Sequence, residues 1–299
     1  ASPLRDVYKR QDEPGVDILS IVHKHGIPSE FPEEVLDQAQ EVPDQISPED
    51  LKGRKDLRQE TIITIDGADA KDLDDAIQVK RLNNGHFSLG VHIADVAHYV
   101  QEGTAIDQEA YERGTSSYLT DRVIPMLPQR LSNGICSLHP GVDRLTLSCQ
   151  MEIDQAGEVV QYDIGPSVIQ SSQRMTYRDV NAILDEDDQA KKDEFAALVP
   201  MFEDMADLHH ILENKRKKRG AIDFESTEAQ IEVDDQGQPT DIKLLERGTG
   251  EKLIESFMLA ANETVSEHYT KQHLPILYRV HEQPDEAKIQ RLYLIHISE

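Results

Sequence analysis

Alternation of apolar and polar residues gives the clearest structural pattern in this 299-residue chain. It predicts strands over five segments: 61–66, 76–81, 86–96, 145–153 and 158–169. Between the second and third segments, Asn83, Asn84 and Gly85 provide the residues of a tight turn, so these two strands should form a hairpin. The last two segments should pair in the same way across residues 154–157.

Apolar residues at helical spacing predict helices over four segments, at about 107–113, 177–184, 193–219 and 250–271. The third should be one long helix that ends at Gly220. A helical stretch is expected between Ile18 and Gln45, and the acidic segment 30–50, which lacks Lys and Arg, should be a solvated connecting arm. The elements mix without βαβ alternation, which predicts a mixed α/β (α+β) fold with a central mixed or antiparallel sheet flanked by helices.

Composition leaves the binding partner open. The formal net charge is −26, from 57 acidic residues against 31 Lys and Arg, which by itself argues against nucleic acid. A basic channel inside an acidic shell would still be compatible with that average. Cys136 and Cys149 have neither zinc-site nor disulfide-framework spacing. Without an apolar run of membrane-spanning length or a signal-peptide core, we expect a cytoplasmic protein with no membrane association.

The densest candidate chemistry lies in residues 64–77. Five of the ten residues from 66 to 75 are aspartates: Asp66, Asp69, Asp72, Asp74 and Asp75. Crowded carboxylates repel one another unless a hard cation neutralises them, and Mg²⁺ prefers oxygen ligands and retains room for a phosphate. Two such ions can stabilise the attacking and leaving oxygens of a phosphoryl displacement.

The alternative is that so acidic a chain clusters some aspartates on a solvated loop. Apolar strand patterns on both sides of the cluster favour a metal site. The spacing excludes a calcium EF-hand, which needs a mid-loop glycine and a terminal bidentate glutamate. From the residues alone, the chain has a predicted Mg²⁺ site and no identified substrate.

The cluster resembles the signature of the ribonuclease II/ribonuclease R (RNB) catalytic domain, in which an Asp is followed, after five residues, by Asp-x-Asp-Asp-Ala. Its four acidic positions correspond to Asp66, Asp72, Asp74 and Asp75. Further segments resemble family blocks in the same order: 91–100, 116–151, 219–226, 254–263 and 278–290. The resemblance covers roughly residues 15–290, and among family members it is nearest to bacterial ribonuclease R.

The resemblance implies an exoribonuclease that hydrolyses single-stranded RNA processively from the 3′ end to 5′-nucleoside monophosphates with Mg²⁺. It implies that all four aspartates are catalytic metal ligands. Asp66, Asp72 and Asp75 would place metal and phosphate, and Asp74 would be the most critical for chemistry. Single-stranded RNA is the expected partner, and the sequence gives no sign of an obligate protein partner.

The resemblance also indicates RNA-binding residues. Tyr118 and Phe224 match family aromatics that stack on bases near the end of the channel. An isolated aromatic is more often a core residue, and only the motif context favours stacking. Glu255 matches a family residue near the terminal base, and its alternative is a solvent-facing helix acid.

One strongly basic run stands out in the acidic chain: Lys215, Arg216, Lys217, Lys218 and Arg219. Cations in the last turn of a helix are favourable with the helix dipole, which gives the run a structural explanation. Five in succession exceed that need, so we expect phosphate contacts. Three histidines in family blocks are expected to be structural or hydrogen-bonding: His92, His98 and His281.

Four segments are expected along the chain. Residues 1–11 would be a non-native extension and residues 12–58 the remnant of a preceding oligonucleotide-binding module with its linker. Residues 59–291 would be an RNB catalytic domain that is truncated before a family arginine block, and residues 292–299 a non-native tail. The alternative function is therefore a catalytically silent RNA-binding fragment of such an enzyme. An unrelated acidic metal-binding domain is disfavoured by the ordered blocks.

Overall fold

The computed structural model describes residues 16–120, 122–221, 228–234, 239–245, 247–280 and 283–297. The chain divides into a unit that ends at Ala261 and a second unit, Asn262–Glu299. Within the second unit, the hydroxyls of Thr270 and Tyr278 share a hydrogen bond of 2.6 Å. No helix in the described ranges combines the length and apolar character that a bilayer span requires.

Eleven strands are described: β1 Lys55–Asp56, β2 Ile63–Asp66, β3 Asp75–Arg81, β4 Phe87–Ala94, β5 Ser117–Tyr118, β6 Val123–Ile124, β7 Asp143–Ile153, β8 Val159–Gln170, β9 Gln173–Thr176, β10 Glu228–Val233 and β11 Pro239–Leu245. Seven of them form one sheet in the order β1-β8-β7-β4-β3-β2-β9. The pairs β5–β6 and β10–β11 form two small antiparallel ribbons.

The helices in the described ranges are α1 Val16–Lys24, α2 Glu33–Glu41, α3 Val96–Tyr99, α4 Ala105–Arg113, α5 Tyr177–Leu184, α6 Gln189–Glu194, α7 Val199–Lys218, α8 Thr249–Lys271 and α9 Glu286–Ile297. A single π-helical turn spans Leu131–Ile135.

The large sheet is mixed. Its inner strands pair antiparallel, and both predicted hairpins, β3–β4 and β7–β8, are present. Gly85 closes the first hairpin with φ +85°, a conformation that favours glycine. The two edge strands join in parallel, β1 beside β8 and β2 beside β9. The predicted mixed α/β fold with a central sheet and flanking helices is therefore confirmed.

The single helix predicted over residues 193–219 is wrong. The structure has two helices, α6 and α7, separated by residues 195–198. Pro200 lies in the first turn of α7, where its missing N–H and fixed φ are tolerated. Inside a longer helix the same residue would lack a backbone hydrogen bond and clash with the preceding turn. Gly220, with φ +92°, follows the end of α7 as expected.

The acidic segment 30–50 is not simply a solvated arm, as its charge suggested. Val35, Ala39 and Val42 are buried in the same hydrophobic cluster as Leu57 and Leu73. The segment is amphipathic, so its apolar residues enter the core while most of its acids stay exposed. This cluster packs directly against the segment that carries the aspartates.

The two expected hydrogen-bonding histidines that the structure describes both have partners. His92 is buried, and its Nδ1 shares a hydrogen bond of 2.6 Å with the Ser148 hydroxyl. His98 Nε2 lies 3.1 Å from the Asp50 carboxylate. His281 lies outside the described residues.

Candidate active site

The aspartate cluster lies at one end of the central sheet. Asp66 is the last residue of β2 and Asp75 is the first residue of β3. These strands are antiparallel neighbours, and the acidic loop, residues 67–74, connects them and carries Asp72 and Asp74. Because the loop reverses the chain direction at this end of the sheet, all four aspartates lie there.

The second half of the acidic loop is anchored to the core. Leu73 is fully buried, and its N–H donates to the Ser137 hydroxyl at 3.0 Å. The same hydroxyl donates to the Lys71 carbonyl at 2.9 Å. The Ala94 N–H donates to the Asp74 carbonyl at 2.9 Å. The backbone around Asp72 and Asp74 is thus fixed by residues of two other segments.

The first half of the loop is held by Arg174, in β9. Its Nη2 donates to the carbonyls of Ala70 at 2.7 Å, Ala68 at 2.9 Å and Gly67 at 3.3 Å. Arg174 reaches the loop because β9 pairs in parallel with β2, which ends at Asp66. Sequence reasoning missed this residue, because it predicted neither the short strand β9 nor the pairing of that strand with β2.

Burial and mutual repulsion perturb the acidic groups. Burial, followed by the charge of Asp75, raises the pKa of Asp66 to about 7, although the positive charge of Arg174 acts in the opposite direction. Burial, followed by the charges of Asp72 and Asp75, raises the pKa of Asp74 to about 6. Burial also raises the pKa of Asp75. The site therefore holds its carboxylates at a cost in free energy, as functional sites often do.

The donors fit a hard divalent cation by type. Asp66 Oδ2 is buried and has no hydrogen-bond partner among the described residues. A buried carboxylate oxygen without a partner is unfavourable, and a cation with oxygen ligands would satisfy it. The spacing is open, because no three of the described aspartates bring carboxylate oxygens within 4.8 Å of one another. Coordination by several of them would require the carboxylates to draw together.

Tyr118 lies beside the acidic loop. Its side chain is 69% exposed, so the alternative that it is a core residue is wrong. Its hydroxyl donates to Asp72 Oδ2 at 3.2 Å. Partial burial and the Asp72 charge raise its pKa. An exposed ring thus stands next to the carboxylates, while Phe224, its expected counterpart, lies outside the described residues.

Sequence reasoning also missed Tyr177, the first residue of α5. Its predecessor, Thr176, pairs with Asp66 across β9 and β2. Burial, followed by the charges of Asp66 and Asp75, raises the pKa of Tyr177 to about 12. The phenol therefore stays protonated and is available as a hydrogen-bond donor near the carboxylates.

Glu255 lies in a small basic pocket of about 130 Å³, whose charged lining residues are Arg216, Lys217, Arg247, Lys252, Glu213 and Glu255. Arg216 and Arg247 both donate to the Glu255 carboxylate. Partial burial raises the pKa of Glu255, but these two hydrogen bonds more than offset it and keep the pKa below its usual range. Glu255 is a paired acid and not a simple solvent-facing one, and Arg247 and Lys252 add to the cations that the sequence indicated.

Much of the basic run already has partners. Lys215 Nζ lies 2.9 Å from Glu158, and Lys217 Nζ lies 3.0 Å from Glu213. Within the run, Arg216 and Lys217 line the basic pocket. Phosphate contact by the basic run stays a prediction, and the position of Arg216 and Lys217 in the basic pocket is its strongest support.

A second group of metal-ligand types lies on α7. His209, His210 and Glu213 bring ligand atoms within 4.8 Å of one another. Lys217 is paired with Glu213, and three further cations line the same pocket. The local charge therefore favours an anion over a cation.

Comparison with known proteins places these features in a family. The RNB domain model matches residues 54–296. Ribonuclease R 1 of Lactococcus lactis is 52% identical over 286 residues, which cover 96% of this chain and 35% of that protein. Ribonuclease R of Thermotoga maritima is 54% identical over 284 residues, covering 94% of this chain and 40% of that protein.

A solved structure gives the same result. Mycoplasma genitalium RNase R, in complex with ribose-methylated single-stranded RNA, superposes with a TM-score of 0.86 at 35% identity. The match covers 93% of this chain and 43% of that one. The chain thus spans less than half the length of these relatives, and over most of its own length it belongs to the RNB domain family.

Proposed function

We propose that this chain is part of the catalytic domain of a cytoplasmic, Mg²⁺-dependent exoribonuclease. The enzyme would hydrolyse single-stranded RNA processively from the 3′ end and release 5′-nucleoside monophosphates. The observation that carries the proposal is the cluster of four aspartates at the end of the RNB sheet, where a buried oxygen of Asp66 has no hydrogen-bond partner among the described residues. Sequence relatives named ribonuclease R support the substrate class.

In this proposal Asp66, Asp72, Asp74 and Asp75 hold Mg²⁺. When bound, the ion would supply positive charge that polarises the scissile phosphate and favours ionisation of the attacking water. Hydrogen bonds hold the backbone N–H of Leu73 and the carbonyl of Asp74, so the backbone that carries the Asp74 side chain is fixed, which supports assigning this residue the most critical role. Water would add to phosphorus, and the departing 3′-oxygen would take up a proton.

The RNA would be held by stacking and by charge. The exposed ring of Tyr118 offers a sequence-independent surface for a base near the carboxylates. Phe224 is proposed as its partner by the family resemblance. The basic pocket beside Glu255 would contact phosphate through Arg216 and Lys217.

Direction and product can be tested with one oligoribonucleotide labelled at either end. The 3′-labelled RNA should release labelled mononucleotide at once. The 5′-labelled RNA should pass from full length to a short end product with few intermediates, because the proposed enzyme completes each molecule that it binds. Both reactions should require Mg²⁺. Chromatography of the product should show 5′-monophosphates. Processivity is tested by adding excess unlabelled RNA after the reaction has started: labelled RNA that is already bound should still be degraded to the end product. The Asp74→Asn variant serves as the matched control. Internal cleavage, or turnover by that variant, would contradict the proposal.

A catalytically silent RNA-binding fragment is the second candidate. It is favoured by the open spacing of the carboxylates, because no three of the described aspartates bring oxygens within 4.8 Å of one another. The two candidates separate in the same assay, because the fragment would bind labelled RNA without shortening it. The corresponding longer protein should then restore turnover.

A further inference from the structure

Arg174 contacts the acidic loop in a way that its own strand does not require. One nitrogen, Nη2, donates to three carbonyls of the loop, those of Gly67, Ala68 and Ala70, at 2.7 to 3.3 Å. The three carbonyls immediately follow Asp66 along the chain. Any movement of this half of the loop therefore requires breaking contacts with a single side chain.

The contacts of the Arg174 guanidinium are not those of a simple ion pair with a carboxylate. Its Nε is buried and has no hydrogen-bond acceptor in the described part of the chain. A side chain placed only for stability would not normally leave a buried donor unsatisfied. Its contacts with Asp66 are electrostatic, since the donated hydrogen bonds go to backbone carbonyls. The guanidinium therefore binds the backbone of the loop and forms no hydrogen-bonded ion pair with Asp66.

The open spacing of the carboxylates makes such a contact consequential. The four aspartates repel one another and do not form a closed set of ligands. Ordering a flexible loop costs backbone entropy for each residue, and this cost adds to the cost of gathering ligands. A side chain that orders residues 67–70 beforehand reduces it.

We propose that Arg174 is a positioning residue that pre-orders residues 67–70 so that the aspartates can coordinate a divalent cation. This inference rests on the proposed function, which places a cation in the acidic loop. Arg174 would act through the backbone of the loop and would not itself touch substrate. Support from outside the loop, comparable to second-sphere contacts of metal ligands, commonly changes metal affinity by about 10- to 100-fold.

The test uses the full 299-residue chain and Mn²⁺, a paramagnetic substitute for Mg²⁺ that also takes oxygen ligands. Affinity is measured by electron paramagnetic resonance of free Mn²⁺. Hydrogen exchange of residues 67–71 is followed by mass spectrometry without metal. The variants are Arg174→Gln, which removes the charge, and Arg174→Lys, which keeps the charge on a shorter side chain without the planar guanidinium. Arg178→Gln, an exposed arginine on the adjoining α5, is the matched control.

Both Arg174 variants should weaken Mn²⁺ binding by about tenfold or more and accelerate exchange in residues 67–71, while β7 stays protected. The control should match the wild type. If Arg174→Gln does not fold, the Lys variant decides between the outcomes. Tighter binding by Arg174→Gln with normal binding by Arg174→Lys would show a charge effect alone and overturn the inference. Lower thermal stability with unchanged affinity and exchange would also overturn it. A wild-type chain that binds no Mn²⁺ would instead refute the proposed metal site on which the inference depends.

Discussion

Replacing Asp66 with asparagine should stabilise the metal-free chain, although it removes a ligand from the proposed site. Burial and the charge of Asp75 raise the pKa of Asp66 from 3.8 to about 7. A carboxyl whose pKa is higher in the folded state than in the unfolded state destabilises the fold wherever it is ionised. Asparagine has nearly the same shape and no charge, so it removes this penalty.

The magnitude follows from the same values. A rise from 3.8 to about 7 corresponds to about 4 kcal/mol, at about 1.4 kcal/mol per pH unit. The new amide would leave a partly buried N–H unpaired, which costs about 1–3 kcal/mol. The free energy of unfolding should therefore increase by about 1–3 kcal/mol at pH 8. As the pH falls from 7 towards 4, wild-type Asp66 takes up a proton in the folded state, so the difference between the proteins should shrink.

The measurement is urea unfolding followed by circular dichroism, with EDTA, at pH 8 and pH 5. Asp69→Asn is the control, because Asp69 lies in the same loop and is exposed, and its effect should stay within about 0.5 kcal/mol. Adding Mg²⁺ should then stabilise the wild type and not the Asp66 variant, by about 2.7 kcal/mol at a hundred times the dissociation constant. An Asp66→Asn protein that is less stable than the wild type at pH 8 would refute the electrostatic reasoning.

Three further predictions concern the RNA-degrading activity proposed above. Asp74→Asn should abolish hydrolysis in the labelled-RNA assay while RNA binding persists, and near-wild-type turnover would remove Asp74 from its proposed role. Tyr118→Ala should lengthen the smallest undegraded RNA, because one stacking contact contributes about 1–3 kcal/mol; Tyr118→Phe should not, and an unchanged product in the Ala variant would contradict stacking. Arg216→Gln should weaken RNA binding regardless of sequence, and the slope of log binding constant against log salt concentration should fall by about 1. The control Lys52→Gln, at an exposed lysine, should leave that slope unchanged. Equal slopes for the Arg216 variant and the wild type would exclude a phosphate contact at Arg216.

The central strands and the acidic loop could be predicted from sequence because their signals are local. Alternation fixes the β3–β4 hairpin, and Gly85 supplies its turn. The break between α6 and α7 was concealed because Leu198 and Phe202 continue the helical spacing past it, and both are buried. Pro200 was the available signal, and it has the expected effect at the start of a helix.

The supporting residues of the site could not be predicted, since they depend on strand pairing. Arg174 reaches the acidic loop, and Tyr177 lies near Asp66 and Asp75, through the parallel pairing of β9 with β2. Nothing in the alternation of a four-residue strand specifies that partner. The aspartates themselves stood out because they lie within ten consecutive residues, whereas the arginine that supports them comes from a segment far along the chain.

The position of β9 has a consequence for the order in which the molecule forms. Arg174 is 104 to 107 residues from the carbonyls that it holds, and β9 is the last strand to join the large sheet along the chain. Contacts so distant in sequence form late, because a long loop must close first. During synthesis the β3–β4 hairpin can therefore form before Arg174 is available to hold the acidic loop. The proposed catalytic centre would therefore stay unordered until β9 has emerged from the ribosome. Until then, the growing chain would not be able to degrade the messenger RNA from which it is translated.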